Sequence, residues 1–248
     1  MKNNKKVNEF VQKLRTKKFL VTMYFKLMLY KIYKVCKFLK SQNEVDICTH
    51  YLKINGYVGH RLGCKNWDLA HVLANLSDGN FLDMGSSDSY ILQNVIIKGI
   101  KGEKYGIDLQ HPDQLIEGVK YIQGNLIDTK LPDNFFANVT CLSVIEHQIN
   151  FDYFAKEVSR ILMKGGKLYL TFDYWEPKVS PSLKIFELAW NPLGKEDVKQ
   201  LLNFCKKYNL NLVQDIDWET QNPVINQTYH SPDPSISYTF GILVFKKQ

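Results

Sequence analysis

The chain has 248 residues, 45% of them hydrophobic and 23% charged, and a net charge of +7. That composition suits one large globular domain, or one domain with an appendage, and excludes extensive disorder, a repeat array and a polytopic membrane protein. Residues 1–40 hold 12 Lys and Arg against one acid, Glu9, for +11, so the rest of the chain carries −4. A basic footprint over the whole surface is therefore absent, and no nucleic-acid partner is expected.

The first 45 residues read as a basic amphipathic helical appendage, followed by a domain over 46–248. Val21, Phe25, Met28, Ile32, Val35 and Leu39 follow a 4-3-4-3-4 spacing, which predicts a helix. Lys26, Lys31, Lys34, Lys37 and Lys40 fall on its other half. No apolar run reaches the length of a spanning helix. Two uses stay open for residues 1–40: packing on the body or another subunit, or lying on an anionic membrane surface. No signal-peptide pattern is visible. Cys36, Cys48, Cys64, Cys141 and Cys205 stand singly, without a C-x-x-C pair. Reduced thiols in the cytoplasm are expected, with peripheral membrane attachment as an option, and no metal site.

Residues 41–79 read as a helical lead-in, with Leu69, Val72, Leu73 and Leu76 marking a short amphipathic helix stopped by Asp78-Gly79. Short apolar runs then alternate with helical stretches. Strands are predicted at 80–84, 103–108, 119–123, 138–144 and 166–173, with helices near 88–98 and 151–163. A helix over 196–208 and strands at 210–216 and 237–245 close the chain. This alternation predicts a parallel α/β sheet.

In such sheets ligands sit beyond the carboxyl ends of the strands, at the switch point. The first strand ends in Asp83-Met84-Gly85-Ser86-Ser87-Asp88-Ser89, with a glycine for a tight turn and small residues that keep the loop open. The second ends in Asp108-Leu109, 25 residues beyond Asp83, where an acid can accept both hydroxyls of a ribose. The third is followed by Gly124-Asn125-Leu126, where an amide and a backbone N–H can read an adenine edge. The first loop has one glycine, not G-x-G-x-x-G, which argues against a dinucleotide dehydrogenase.

Together the runs LDMGSSDS, YGIDL, YIQGN, LPDNFFANVTCLSVIEH and FAKEVSRILMKGGKLYLT, in that order over residues 80–173, resemble class I S-adenosylmethionine-dependent methyltransferases. The resemblance implies a Rossmann-like seven-stranded sheet with a reversed last strand, and S-adenosylmethionine as cofactor. It also implies that Gly85, Ser86 and Ser87 line the methionine portion, with Asp83 shaping the loop. Asp108 would then hold the ribose and Leu109 pack on the adenine. Asn125 and Leu126 would read that base, and Ser143 would sit beside the cofactor. The run is most similar to methyltransferases associated with bacterial surface-polysaccharide synthesis. That similarity implies O-methylation of a sugar in a surface glycan or its precursor. A lipid or quinone methyltransferase and a non-catalytic binding protein are the alternatives.

Methyl transfer needs alignment and, for a hydroxyl acceptor, a base. His147, just after the fourth strand, and Asp173, at the end of the fifth, are the candidates. Glu146-His147 resembles part of an E-x-x-E-H metal site, but Ser143 stands where the first Glu would be. Tyr174 or Trp175 could stack on a pyranose, and His60, Arg61 and Trp67 could face the acceptor. The stretches 174–194 and 218–236, the latter with Tyr229 and His230, are expected to fold over it.

Overall fold

The computed structural model describes residues 32–179, 183–185, 187–226 and 236–248. Most of the expected N-terminal helix, and Tyr229 and His230, lie outside the described residues. Val35–Gln248 form one compact unit and Met1–Lys34 another. The body thus begins about ten residues before the expected boundary. The reason is β1 (Lys37–Phe38), which pairs with the last strand, Lys37 opposite Ile242. Val35, Phe38 and Leu39 are buried. Lys37 and Lys40 do not lie on a solvated helix face. Lys37 pairs with Glu44 at 2.9 Å, and Lys40 with Asp217 at 3.0 Å and Glu219 at 2.6 Å.

Two helices lead in, α1 (Gln42–Ile54) and α2 (Asn66–Asn75), with a 3-10 turn at Gly63–Lys65 between them. The alternating region follows as β2 (Phe81–Met84), α3 (Tyr90–Lys98), β3 (Lys104–Asp108), β4 (Val119–Gln123), β5 (Phe136–Leu142), α4 (Phe151–Ile161) and β6 (Leu162–Tyr174). A small hairpin, β7 (Lys184–Ile185) with β8 (Leu188–Ala189), precedes α5 (Lys195–Lys207), β9 (Leu210–Leu212) and β10 (Thr239–Lys247). Two of the helices start where a side chain satisfies free backbone N–H groups of the first turn. The Ser89 side chain accepts from Leu92 N ahead of α3, and Asn150 accepts from Asp152 N and Tyr153 N ahead of α4.

The sheet order is β1-β10-β6-β5-β2-β3-β4, with β9 also paired to β10. Strands β2 to β6 are mutually parallel, and β10 runs antiparallel to β6. This is the expected sheet with its reversed strand, and β1 brings the strand count to eight. From β2 the chain builds outward to β3 and β4, then returns to β5 on the other side of β2. The switch point therefore lies between β2 and β5. The buried positions of β6 run unbroken from Leu168 to Tyr174, as a central strand covered on both faces requires.

Candidate active site

A cavity of about 740 Å³ opens at the carboxyl ends of these strands. Asp83, Gly85, Ser87, Asp108, Leu109 and Asn125 line it on one side of the switch point. Leu126, Ser143, His147 and Asp173 line it too. Ten of the eleven residues singled out from the sequence thus border one space. Ser86 is the eleventh and is buried, off the cavity wall. It packs behind the loop over Gly106 of β3, where a Cβ would come within 2.6 Å of Ser86 Oγ.

The first loop is built by backbone constraint. Gly85 has φ +87°, and a Cβ there would lie 2.4 Å from Val144 Cγ2. Only glycine fits such a conformation and such a close approach. Asp83 accepts from Thr140 Oγ1 at 2.6 Å. Burial raises its carboxyl to about 7, with hydrogen bonds from Ser89 and Thr140 opposing. Asp108 holds the loop from the neighbouring strand: Oδ2 accepts from Ser87 N at 2.9 Å and Oδ1 from Gln110 N at 3.2 Å. Leu109 beside it is 52% exposed, an apolar side chain left on the cavity wall. Asn125 Oδ1 accepts from Ile127 N at 3.1 Å, so its amide oxygen closes a local turn.

At the β5–β6 end the cavity contains a cluster that the sequence does not reveal. Lys65, from the 3-10 turn ahead of α2, donates to Ser143 Oγ and lies 3.5 Å from Asp173 Oδ1 and 3.6 Å from Asp68 Oδ2. Its ammonium also sits 3.7 Å from the Phe240 ring centroid. Asp173 Oδ2 accepts from Trp190 Nε1 at 2.8 Å, and Trp190 packs edge-on against Tyr238 at 5.2 Å. Glu146 Oε1 receives Asp173 N at 3.4 Å.

Burial raises Asp68 to about 6 against the opposing pull of Lys65. Burial, then the nearby Asp173, pushes Glu146 well above the usual carboxylate range. Lys65 is raised because the surrounding carboxyls outweigh its own desolvation, so it stays an ammonium. Ser143 itself has φ +54°, a left-handed conformation unusual for serine and recurrent at functional sites.

Other expected acceptor residues are placed differently. Tyr174 is buried against Phe38, ring centroids 4.1 Å apart, on the sheet face opposite Asp173, because side chains alternate along a strand. Trp175 does not line the cavity; Trp190, Tyr238 and Tyr90 are its aromatic lining. Trp67 is fully buried and donates to Glu44 at 3.2 Å. His60 and Arg61 do reach the cavity. Arg61 pairs with Asp88 at 2.6 Å, and burial lowers His60 to about 4. Among the described residues, no group of three His, Cys, Asp or Glu is arranged to hold a metal ion.

Residues 82–170 match the family model described as a methyltransferase domain. They form a methyltransferase domain. The chain thus carries a methyltransferase domain, and S-adenosylmethionine is the cofactor expected of it. No curated protein matches this methyltransferase.

Solved structures agree on the fold. A proposed sarcosine dimethylglycine methyltransferase of Galdieria sulphuraria is 14% identical with a TM-score of 0.57, over 91% of this chain and 97% of that one. The YcgJ protein of Bacillus subtilis is 13% identical, TM-score 0.52, over 73% and 98%. Phosphoethanolamine N-methyltransferase 2 of Haemonchus contortus, solved with S-adenosyl-L-methionine, is 14% identical, TM-score 0.51, over 82% and 57%. At these identities the likeness carries the fold of the methyltransferase and not its acceptor.

The residues present fit the cofactor. Gly85 forms a cradle that a Cβ would fill, and Asp108 offers a carboxylate at the wall next to an exposed apolar side chain. The cavity lining carries seven acids against Lys65 and Arg61, which suits a cationic sulfonium.

Proposed function

We propose that the protein transfers a methyl group to a hydroxyl of a sugar, within a surface glycan or its precursor. The observation that carries this reading is the acceptor end of the cavity. There the carboxyls of Asp173, Asp68 and Glu146 stand beside the indole of Trp190, polar acceptors next to a flat apolar face. A pyranose offers hydroxyl donors on its rim and apolar C–H faces, and that pairing suits it. The run from YGIDL to SVIEH, similar to that of polysaccharide-associated methyltransferases, supports the glycan setting.

When bound, S-adenosylmethionine supplies a methyl carbon activated by its sulfonium leaving group. Asp108 would hold the ribose hydroxyls and Leu109 would pack on the adenine, with Asn125 and Leu126 at its edge. Gly85 and Ser87 would border the methionine portion. Asp83 would fix the loop, and Ser86 would support it from behind. Ser143 would stand between cofactor and acceptor. Three strand spacings separate Asp108 on β3 from Asp173 on β6, about 14 Å, which leaves room for an acceptor beyond the cofactor. Asp173, oriented by Trp190 and Lys65, would receive the hydroxyl proton, with His147 as a second base on the same wall.

The test is transfer of labelled methyl from S-adenosylmethionine to nucleotide sugars, glycolipids and quinones. Label is expected in a sugar acceptor. Label confined to quinones or to lipid headgroups lacking sugar, or no transfer at all, would refute the reading.

A further inference from the structure

The Lys65 cluster bears on which sugars can enter. Lys65 is the only basic side chain lining the β5–β6 end among the described residues, and it is already engaged on every side. Its ammonium meets Ser143 Oγ, Asp173 Oδ1, Asp68 Oδ2 and the Phe240 ring. It lines the cavity with 17% of its side chain exposed, but its N–H groups are directed at Ser143, Asp173 and Asp68. Arg61, the other cation of the lining, is held by Asp88.

The acceptor oxygens, by contrast, are in excess. Three carboxyls from three elements, Asp68 on α2, Glu146 after β5 and Asp173 on β6, surround one cation. Asp68 is 2% exposed and Glu146 1%, and both border the cavity. Asp68 Oδ1 and Glu146 Oε2 have no hydrogen-bond partner among the described residues. A buried carboxyl oxygen without a donor is costly, so the cluster is incomplete without hydrogen-bond donors from a ligand. Glu187 adds a fourth acid to the same wall. His60, held at about 4, adds no positive charge at neutral pH. His147 is the remaining titratable neighbour on the β5 side, and Tyr238 on the β10 side.

From this arrangement we infer that the sugar ring entering the acceptor end is uncharged. Its hydroxyls donate to Asp68, Glu146 and Asp173, and rings bearing a carboxylate are rejected. An incoming carboxylate would bring no donors for these oxygens and would meet the carboxyls of Asp68 and Asp173, with Lys65 already held by both and by Ser143. Like-charge juxtaposition of that kind is a common device of specificity. The inference rests on the proposed sugar acceptor and adds its charge class.

Matched pairs test it: UDP-glucose against UDP-glucuronate, and UDP-galactose against UDP-galacturonate, each with labelled S-adenosylmethionine and the full chain. Within a pair the ring differs only by the oxidation of one carbon. Calorimetry with S-adenosylhomocysteine comes first, because absence of binding would sink the cofactor reading itself and not the charge class alone. Given binding, transfer to at least one neutral sugar is expected at ten times or more the rate for its uronate. Asp68→Asn, or Glu146→Gln should the first fail to fold, is expected to narrow that ratio at least threefold. A merely structural role would leave the ratio unchanged. A uronate used as well as its neutral partner, transfer to no neutral sugar, or an unaltered ratio in a folded variant would overturn the inference.

Discussion

Replacing Asp108 by alanine removes the carboxylate proposed to hold the ribose. Each of its oxygens already receives one backbone donor, Ser87 N on Oδ2 and Gln110 N on Oδ1. A carboxylate oxygen accepts two hydrogen bonds, so one direction on each remains for a hydroxyl. Two charge-assisted bonds are then lost, at about 1.5–3 kcal/mol each. Asp108 is partly exposed, which favours the lower end. The expected loss is about 3 kcal/mol, or about 150-fold in affinity. Asp108→Asn keeps the shape and one acceptor and should lose about tenfold. Isothermal calorimetry with S-adenosylhomocysteine measures both, with thermal melts confirming the fold. A folded Asp108→Ala protein within about twofold of wild type would refute the ribose assignment.

Asp83 has its folded-state pKa raised to about 7. The folded protein therefore holds more protons than the unfolded chain between about pH 4 and 7, and stability falls as pH rises through that window. One such proton gives a slope on the order of 1.4 kcal/mol per pH unit. Asp83→Asn should flatten it; parallel slopes in denaturant titrations of the two proteins from pH 4 to 8 would contradict this. Gly85→Ala forces a Cβ against Val144 at a positive φ. It should cost about 1–3 kcal/mol of stability and weaken S-adenosylhomocysteine binding, and an unchanged melting temperature would count against the tight-loop argument. His147→Ala should lower turnover more than cofactor affinity, and unaltered turnover would remove His147 from the mechanism.

Most of the sheet is legible in the sequence because its signals are local. Phe81–Met84, Lys104–Asp108 and Val119–Gln123 are short apolar runs at βα spacing, and Gly85 and Asp108 follow their strands by position alone. The mismatch at residues 35–40 has the opposite cause. Their helical spacing is real, but β1 pairs with β10 some 200 residues away, and tertiary pairing outweighs local periodicity. Lys65 escapes sequence reading for the same reason. It meets Ser143 and Asp173, 78 and 108 residues further along the chain. In the sequence it stands in an ordinary polar turn, and Asp68 reads as a helix start. Glu146 reads only as a possible metal ligand, since its convergence with Asp173 requires the β5–β6 register. Tyr174 rather than Trp190 is expected at the acceptor because strand alternation depends on which face Asp173 takes.

The +7 of the whole chain conceals an acidic working cavity, and the placement of the cofactor inside that cavity is the central claim. A crystal structure of the full chain with S-adenosylhomocysteine tests it most directly. The predicted result has the ribose hydroxyls on Asp108, the sulfur near Gly85 and Ser143, and open space between that sulfur and Asp173. A ligand bound elsewhere, or one whose amino-acid portion fills the Asp68–Glu146–Asp173 end, would contradict it.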